Sequence, residues 1–137
     1  MVEPSIETAV ETRTRQEHAG VCSAIEVCAD AVADSWPTPA AAGGRAIVDP
    51  FRTRLERTGV LEALPGVLAD LVVTAGYRLS APPAPAPPYV VVTSRGVLLR
   101  ATIEPGRLVV ELEAFELDPA HHTYSRRDGL AVSASIR

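Results

Sequence analysis

Lysine is absent from this chain: all thirteen basic residues are arginine. Seventeen acids outnumber them, giving a formal charge of −4 and a pI near 5.3. That balance supplies no general attraction to nucleic acids or anionic membranes, which reward a basic face, and neither is an expected partner. Aromatic residues make up only 4%, too few for the stacking platforms that hold single strands. Cysteine occurs twice, at Cys22 and Cys28. On one helix these would stand about 9 Å apart along the axis, beyond the roughly 7 Å limit between Cα atoms for a disulfide. Two unbridged thiols suit a reducing compartment. The N-terminal stretch MVEPSIETAVETRTR has no apolar centre, so no signal peptide is expected. No apolar run approaches the ~20 residues of a membrane span. A cytoplasmic location follows as the expectation. Catalytic signatures are missing too. Gly43-Gly44-Arg45 lacks the further Gly and the Lys-Ser/Thr of a phosphate-binding loop, and the chain has no CxxC, HExxH or GxSxG.

What is present suits one α+β domain. At 137 residues and 47% hydrophobic content, the chain can bury a core without metals or disulfides. Residues 1–80 read as a helical part, 81–88 as a proline-rich connector and 89–137 as an antiparallel sheet. The acidity sits at the start: residues 1–36 hold seven acids against Arg13 and Arg15.

The spacing of Ile6, Val10, Thr14, His18, Val21, Cys22, Ile25, Cys28, Ala29, Val32 and Trp36 predicts an amphipathic helix over about 5–35. Ser5 would cap it and Gly20 is its weak point. Residues 37–46 read as a loop. Asp49-Pro50 resembles an N-cap followed by a first-turn proline, predicting a short helix over 50–58 ended by Gly59. In the next apolar stretch Leu64-Pro65 predicts a break, with a main helix over about 65–76 ending at Gly76. The connector APPAPAPP should be extended polyproline II, a stiff spacer.

From Tyr89 the period becomes two. YVVVTS, VLLRATI and RLVVELEAFEL predict three strands joined by Arg95-Gly96 and Pro105-Gly106 turns. With Pro105-Gly106 as the loop, Ile103 faces Leu108, Ala101 faces Val110, Leu99 faces Leu112 and Val97 faces Ala114. Arg100 then opposes Glu111 as a cross-strand ion pair. Val90, Val91 and Val92 fit either face. LAVSASI (130–136) makes a fourth strand. This stretch, PPYVVVTSRGVLLRATIEPGRLVVELEAFEL, resembles segments of small uncharacterised proteins of salt-loving archaea, a likeness confined to about residues 88–117. The resemblance implies strands and turns and no activity.

Five groupings carry potential chemistry. His18 and Cys22 stand four apart, a spacing at which both could face one zinc ion, with His121 and His122 as further donors; packing in the apolar stripe is the plainer role, and no cofactor is expected. HHTYSRRDG (121–129) gathers His121, His122, Tyr124, Arg126 and Arg127 in one inter-strand loop. There histidine could act as a base and arginine could hold a carboxylate or phosphate. The same polarity is also what a solvated loop requires. Arg52, Arg54 and Arg57 form a small basic helix face, and Glu111 and Glu113 stand about 6.5–7 Å apart on one strand; solvated surface accounts for both. The proline run could also dock a polyproline-binding domain.

Together these readings predict a two-layer α+β fold, with N-terminal amphipathic helices packed on a three- to four-stranded antiparallel sheet. The expected function is a non-enzymatic binding or interaction module whose partner is itself, as a homodimer, or another protein. The alternative is a small metal-dependent or histidine-based enzyme using the 121–129 loop.

Overall fold

Ser5 starts the first helix, its Oγ accepting from the backbone N–H of Thr8 at 3.1 Å. The computed structural model describes residues 4–104 and 106–137. Its helices are α1 (Ile6–Glu17), α2 (Ala19–Asp34), α3 (Arg45–Arg57) and α4 (Val60–Thr74). Its strands are β1 (Ala40–Ala41), β2 (Val90–Val92), β3 (Gly96–Thr102), β4 (Arg107–Asp118) and β5 (Thr123–Ile136). The result is the α+β arrangement expected, helices first and sheet last.

The single helix predicted over 5–35 is two helices, and the break falls at His18 rather than Gly20. His18 leaves helical geometry at φ −113°, ψ 28°. Its Nε2–H donates to Asp70 Oδ2 on α4 at 2.7 Å, a partner fifty-two residues away that helical spacing could not register.

Both internal prolines sit inside helices, against expectation. Pro50 lies within α3, which begins at Arg45 rather than at 50. A proline has no N–H to give the carbonyl four residues back; here that carbonyl, of Ala46, accepts from the Trp36 indole Nε1–H at 3.4 Å. Pro65 lies within α4, where no break occurs, and it is buried beside Leu64 and Leu68. Gly59 and Gly76 follow α3 and α4 as the sequence suggests. At Gly76 the φ of +90° lets its own N–H reach Val73 O at 2.9 Å and the Tyr77 N–H reach Val72 O at 3.0 Å, a Schellman closure.

The sheet has five strands in the order β1-β5-β4-β3-β2, each neighbour antiparallel. The extra strand is β1, taken from the predicted 37–46 loop; it pairs Ala40 with Ser125 and Ala41 with Tyr124. In the β3–β4 hairpin the predicted turn residue Pro105 lies outside the described residues. Around it, the Ile103 N–H donates to Gly106 O at 2.8 Å, and Thr102 faces Arg107. Every partner is therefore two residues from the predicted one: Ala101 faces Leu108, Leu99 faces Val110 and Val97 faces Leu112. A two-residue shift keeps each side chain on its face but changes who meets whom. Arg100 opposes Val109, so the predicted Arg100–Glu111 pair does not form. Glu111 instead meets Arg137 at 3.7 Å.

One face of the sheet, with Val97, Leu99, Ala101, Leu108, Val110 and Leu112, joins helix residues such as Ile25, Phe51, Leu55, Leu68 and Leu71 in one buried cluster. Phe115 anchors it, edge-on to Phe51 at 5.3 Å and tilted against Trp36 at 5.9 Å, contacts each worth about 0.5–1.5 kcal/mol beyond their buried area. Val90 and Val92 point into this core while Val91 is half-exposed. The acidic first helix packs on its own chain's sheet. Glu11 Oε1 accepts from the Ala134 N–H at 3.0 Å, and Arg15 donates to Leu130 O at 3.4 Å. These side chains occupy backbone groups on the β5 edge that would otherwise invite another strand.

Candidate functional site

The predicted 121–129 loop is mostly strand. β5 begins at Thr123, so only His121 and His122 of the candidate residues belong to the β4–β5 turn. Asp118 builds that turn: its Oδ1 accepts from the Ala120 N–H at 3.0 Å, and its Oδ2 from His121 Nδ1 at 2.7 Å. The imidazole beside it, and then the turn N–H groups, hold the Asp118 carboxyl below its usual value. His122 takes the left-handed backbone at φ +51°. Tyr124 Oη lies 3.2 Å from Ser94 Oγ.

Arg126 is consumed by the fold. Glu113 faces Ala131, while Phe115 faces Arg126, so β5 carries four residues, 127–130, opposite Ala114 alone. Arg126 spans this bulge. Its Nη1 donates to the Ala114 carbonyl at 3.0 Å and to its neighbour Arg127's at 2.8 Å. Its Nε and Nη2 reach Asp30 at 3.0 Å and Glu26 at 3.3 Å on α2. With its side chain 16% exposed and its donors taken, it has little left for a ligand. Arg127 points to the other face and pairs with Glu116 at 3.6 Å.

His18 and Cys22 are likewise held apart from the turn histidines. His18 and Arg13 converge on Asp70: Arg13 Nε and Nη2 give a two-pronged bond at 3.0 and 3.1 Å. Arg13 foremost, then His18, holds the Asp70 carboxyl below its usual value. Cys22 lies over Thr14 O at 3.8 Å, and burial pushes its thiol upward, away from the thiolate that metal binding and nucleophilic attack require. Cys22 borders Leu130, and the stretch of β5 from there to the turn that carries His121 and His122 spans five residues of β4, Glu113 to Asp118, or roughly 17 Å. Among the described residues no group of three or more His, Cys, Asp and Glu side chains is placed to hold a metal ion.

A different arrangement escaped the sequence. Where the segment leaving α4 returns to β2, Leu79, Pro88 and Tyr89 line a cleft of about 280 Å³ together with Arg100, Thr102 and Arg107. Arg107 opposes Thr102, and Arg100 precedes Thr102 by two on the same face. The two arginines are therefore diagonal neighbours, with Cα atoms about 7–8 Å apart. Among the described residues neither guanidinium makes an ion pair or a side-chain hydrogen bond, unlike Arg13, Arg126, Arg127 and Arg137 but like the exposed Arg45, Arg52, Arg54, Arg57, Arg78 and Arg95. The predicted register concealed this by giving Arg100 to Glu111. The signal that could have exposed it was the alternative loop two residues longer, 103–106, which satisfies the same alternation.

Among the described residues no helix is long and apolar enough to cross a membrane. No curated protein and no solved structure matches this chain. A family match does exist. Spanning residues 8–137, it shows that the chain belongs to the family described as domain of unknown function DUF7988.

Proposed function

We propose that this domain is a non-enzymatic binding module that self-associates through the uncovered face of its sheet. The observation that carries this reading is the one-sided cover: the helices bury one face, while the other presents Val91, Leu98 and Ala131, all half-exposed, among charged side chains. Val109 on the same face is 4% exposed, so apolar surface lies close beneath the charges. Those charges are partly segregated along the strands. Arg100, Arg107 and Arg137 occupy one end, where Glu111 meets Arg137, and Glu113 and Glu116 the other, where Arg127 meets Glu116. A two-fold axis crossing the strands between two such faces sets the basic end of one copy over the acidic end of the next, which makes a second copy the fitting occupant.

The interaction reading is also supported by what the candidate catalytic groups already do. His121 braces a turn, Arg126 closes a bulge and Tyr124 meets Ser94. Each has a structural task that explains its chemistry. Pairing through the β5 edge is the weaker route to a dimer because Glu11 and Arg15 of the same chain already engage it.

Sedimentation velocity across a concentration series tests the proposal. A reversible dimer is expected for the wild type, with Leu98→Arg and Ala131→Arg both monomeric at every concentration. Leu98 faces Glu111 and Ala131 faces Glu113, so each new arginine has a carboxylate beside it in the folded monomer. A wild type that stays monomeric throughout would sink the self-association.

A further inference from the structure

We infer that the Arg100–Arg107 cleft is a binding site for a small phosphate monoester. This goes beyond self-association, because the cleft is built within one chain; phosphate and the acidic end of a second copy would compete for the same two arginines. The argument begins with charge. The protein is acidic overall, yet two guanidiniums without carboxylate partners stand on adjacent strands and border one cavity. Like charges held as diagonal neighbours repel each other, and no described acid lines the cleft to offset them. A doubly charged oxyanion would do so, and the planar forks of two arginines can each give it paired N–H bonds. A monocarboxylate would leave one of the positive charges unmatched.

The remaining lining supplies the rest of a recognition site. Ser80 and Thr102 bring hydroxyls that can donate to further phosphate oxygens. Leu79, Pro88 and Tyr89 add apolar lining beside the arginines, suited to a small organic body carried by the phosphate. A volume of about 280 Å³ sits at the small end of ligand pockets, so a compact monoester fits better than a dinucleotide. The Arg100 N–H donates to Tyr89 O at 2.9 Å, fixing the aromatic residue directly beside Arg100.

Amide NMR titrations at ionic strength held constant with chloride test the site, using inorganic phosphate, phenyl phosphate and phenylacetate. Saturable shifts centred on Tyr89, Arg100, Thr102 and Arg107 are expected with both phosphates. Phenylacetate, a monoanion of similar shape, should bind about tenfold more weakly or worse than phenyl phosphate. Arg100→Gln and Arg107→Gln should each weaken phenyl phosphate by about tenfold, and the double variant should lose it. Equal affinity in the double variant, equal affinity for phenylacetate, or unsaturating shifts spread over the other arginines would each overturn the assignment. The titration is repeated on Ala131→Arg, which lies on β5 away from the cleft. Retained binding there is expected whether or not the wild type dimerises, and loss of binding would show that one chain does not hold the site.

Discussion

Arg126 Nη1 donates to the carbonyl of Ala114 at 3.0 Å, at the point where β4 and β5 lose register. Four residues of β5 stand there against one of β4, and the same guanidinium reaches across to Glu26 and Asp30 of α2. One side chain thus closes a sheet irregularity and ties it to the helical layer. Arg126→Ala should destabilise the fold by about 2–3 kcal/mol, since it leaves bulge carbonyls without a donor. Arg126→Lys should recover little, because a single ammonium cannot reproduce the fork. Urea denaturation of the three proteins checks this, and a loss in Arg126→Ala no larger than an ordinary surface change would contradict it.

The helix-internal Pro50 and Trp36 form a second linked pair. Pro50→Ala should lengthen the α3 hydrogen-bond ladder by supplying an N–H for Ala46 O, in competition with the indole. The expected result is a stability gain on the order of 1–2 kcal/mol, together with a change in Trp36 fluorescence as its N–H loses exclusive use of that carbonyl. Unchanged fluorescence would mean that the indole bond does not depend on the proline.

Acid should loosen the junction between α1 and α4. The Asp70 carboxyl is held below its usual value by Arg13 and His18, so its folded pKa lies under its unfolded one. The stabilisation is therefore complete above the ordinary carboxylate pKa of about 3.9, and it fades as pH falls through the lower folded value. Asp70→Asn should be less stable than wild type near neutrality, with the gap narrowing on acidification. Parallel denaturation curves at neutral and acid pH measure it; a gap independent of pH would rule out the linkage.

Gly96 opens β3 with φ +152°, and a Cβ there would collide with the Leu112 carbonyl. Because that neighbour is backbone in the centre of the sheet, it cannot step aside. Gly96→Ala should cost on the order of 3 kcal/mol or more, read as a fall in the thermal midpoint, whereas Gly20→Ala, with open space around it, should be neutral or stabilising.

The hairpin register can be read by double-mutant cycles. Glu111 and Arg137 should couple by about 0.2–1 kcal/mol, as exposed ion pairs do. Arg100 and Glu111 should show weaker coupling, since Val109 is the residue facing Arg100. The reverse ordering would restore the register in which those two residues face each other.

Much of this architecture was legible because it depends on neighbours in the chain. Ser5 caps a helix and Gly76 ends one through bonds made within a few residues. Strict alternation over 97–112 assigned each β3 and β4 side chain to its face, since that property has a period of two and survives a two-residue slip. The candidate site was less legible. His121, His122, Tyr124, Arg126 and Arg127 are adjacent in sequence, but the strand sends Arg126 towards α2 and Arg127 to the opposite face, and the turn keeps the histidines.

The sequence by itself determined where the main helices and the β2–β4 strands lie and which β3 and β4 side chains face the core, because local sterics and apolar periodicity fix those; β1 and the first half of β5 were legible only as loop. Tertiary structure decided where the first helix breaks, how two prolines are absorbed, which residue Arg100 faces and what Arg126 holds. Each of these turns on a partner brought close only by folding: Asp70 for His18, Trp36 for Ala46, Val109 for Arg100, and α2 with the β4–β5 bulge for Arg126. Choices of equal local energy are settled by whichever long-range contact satisfies the buried polar groups.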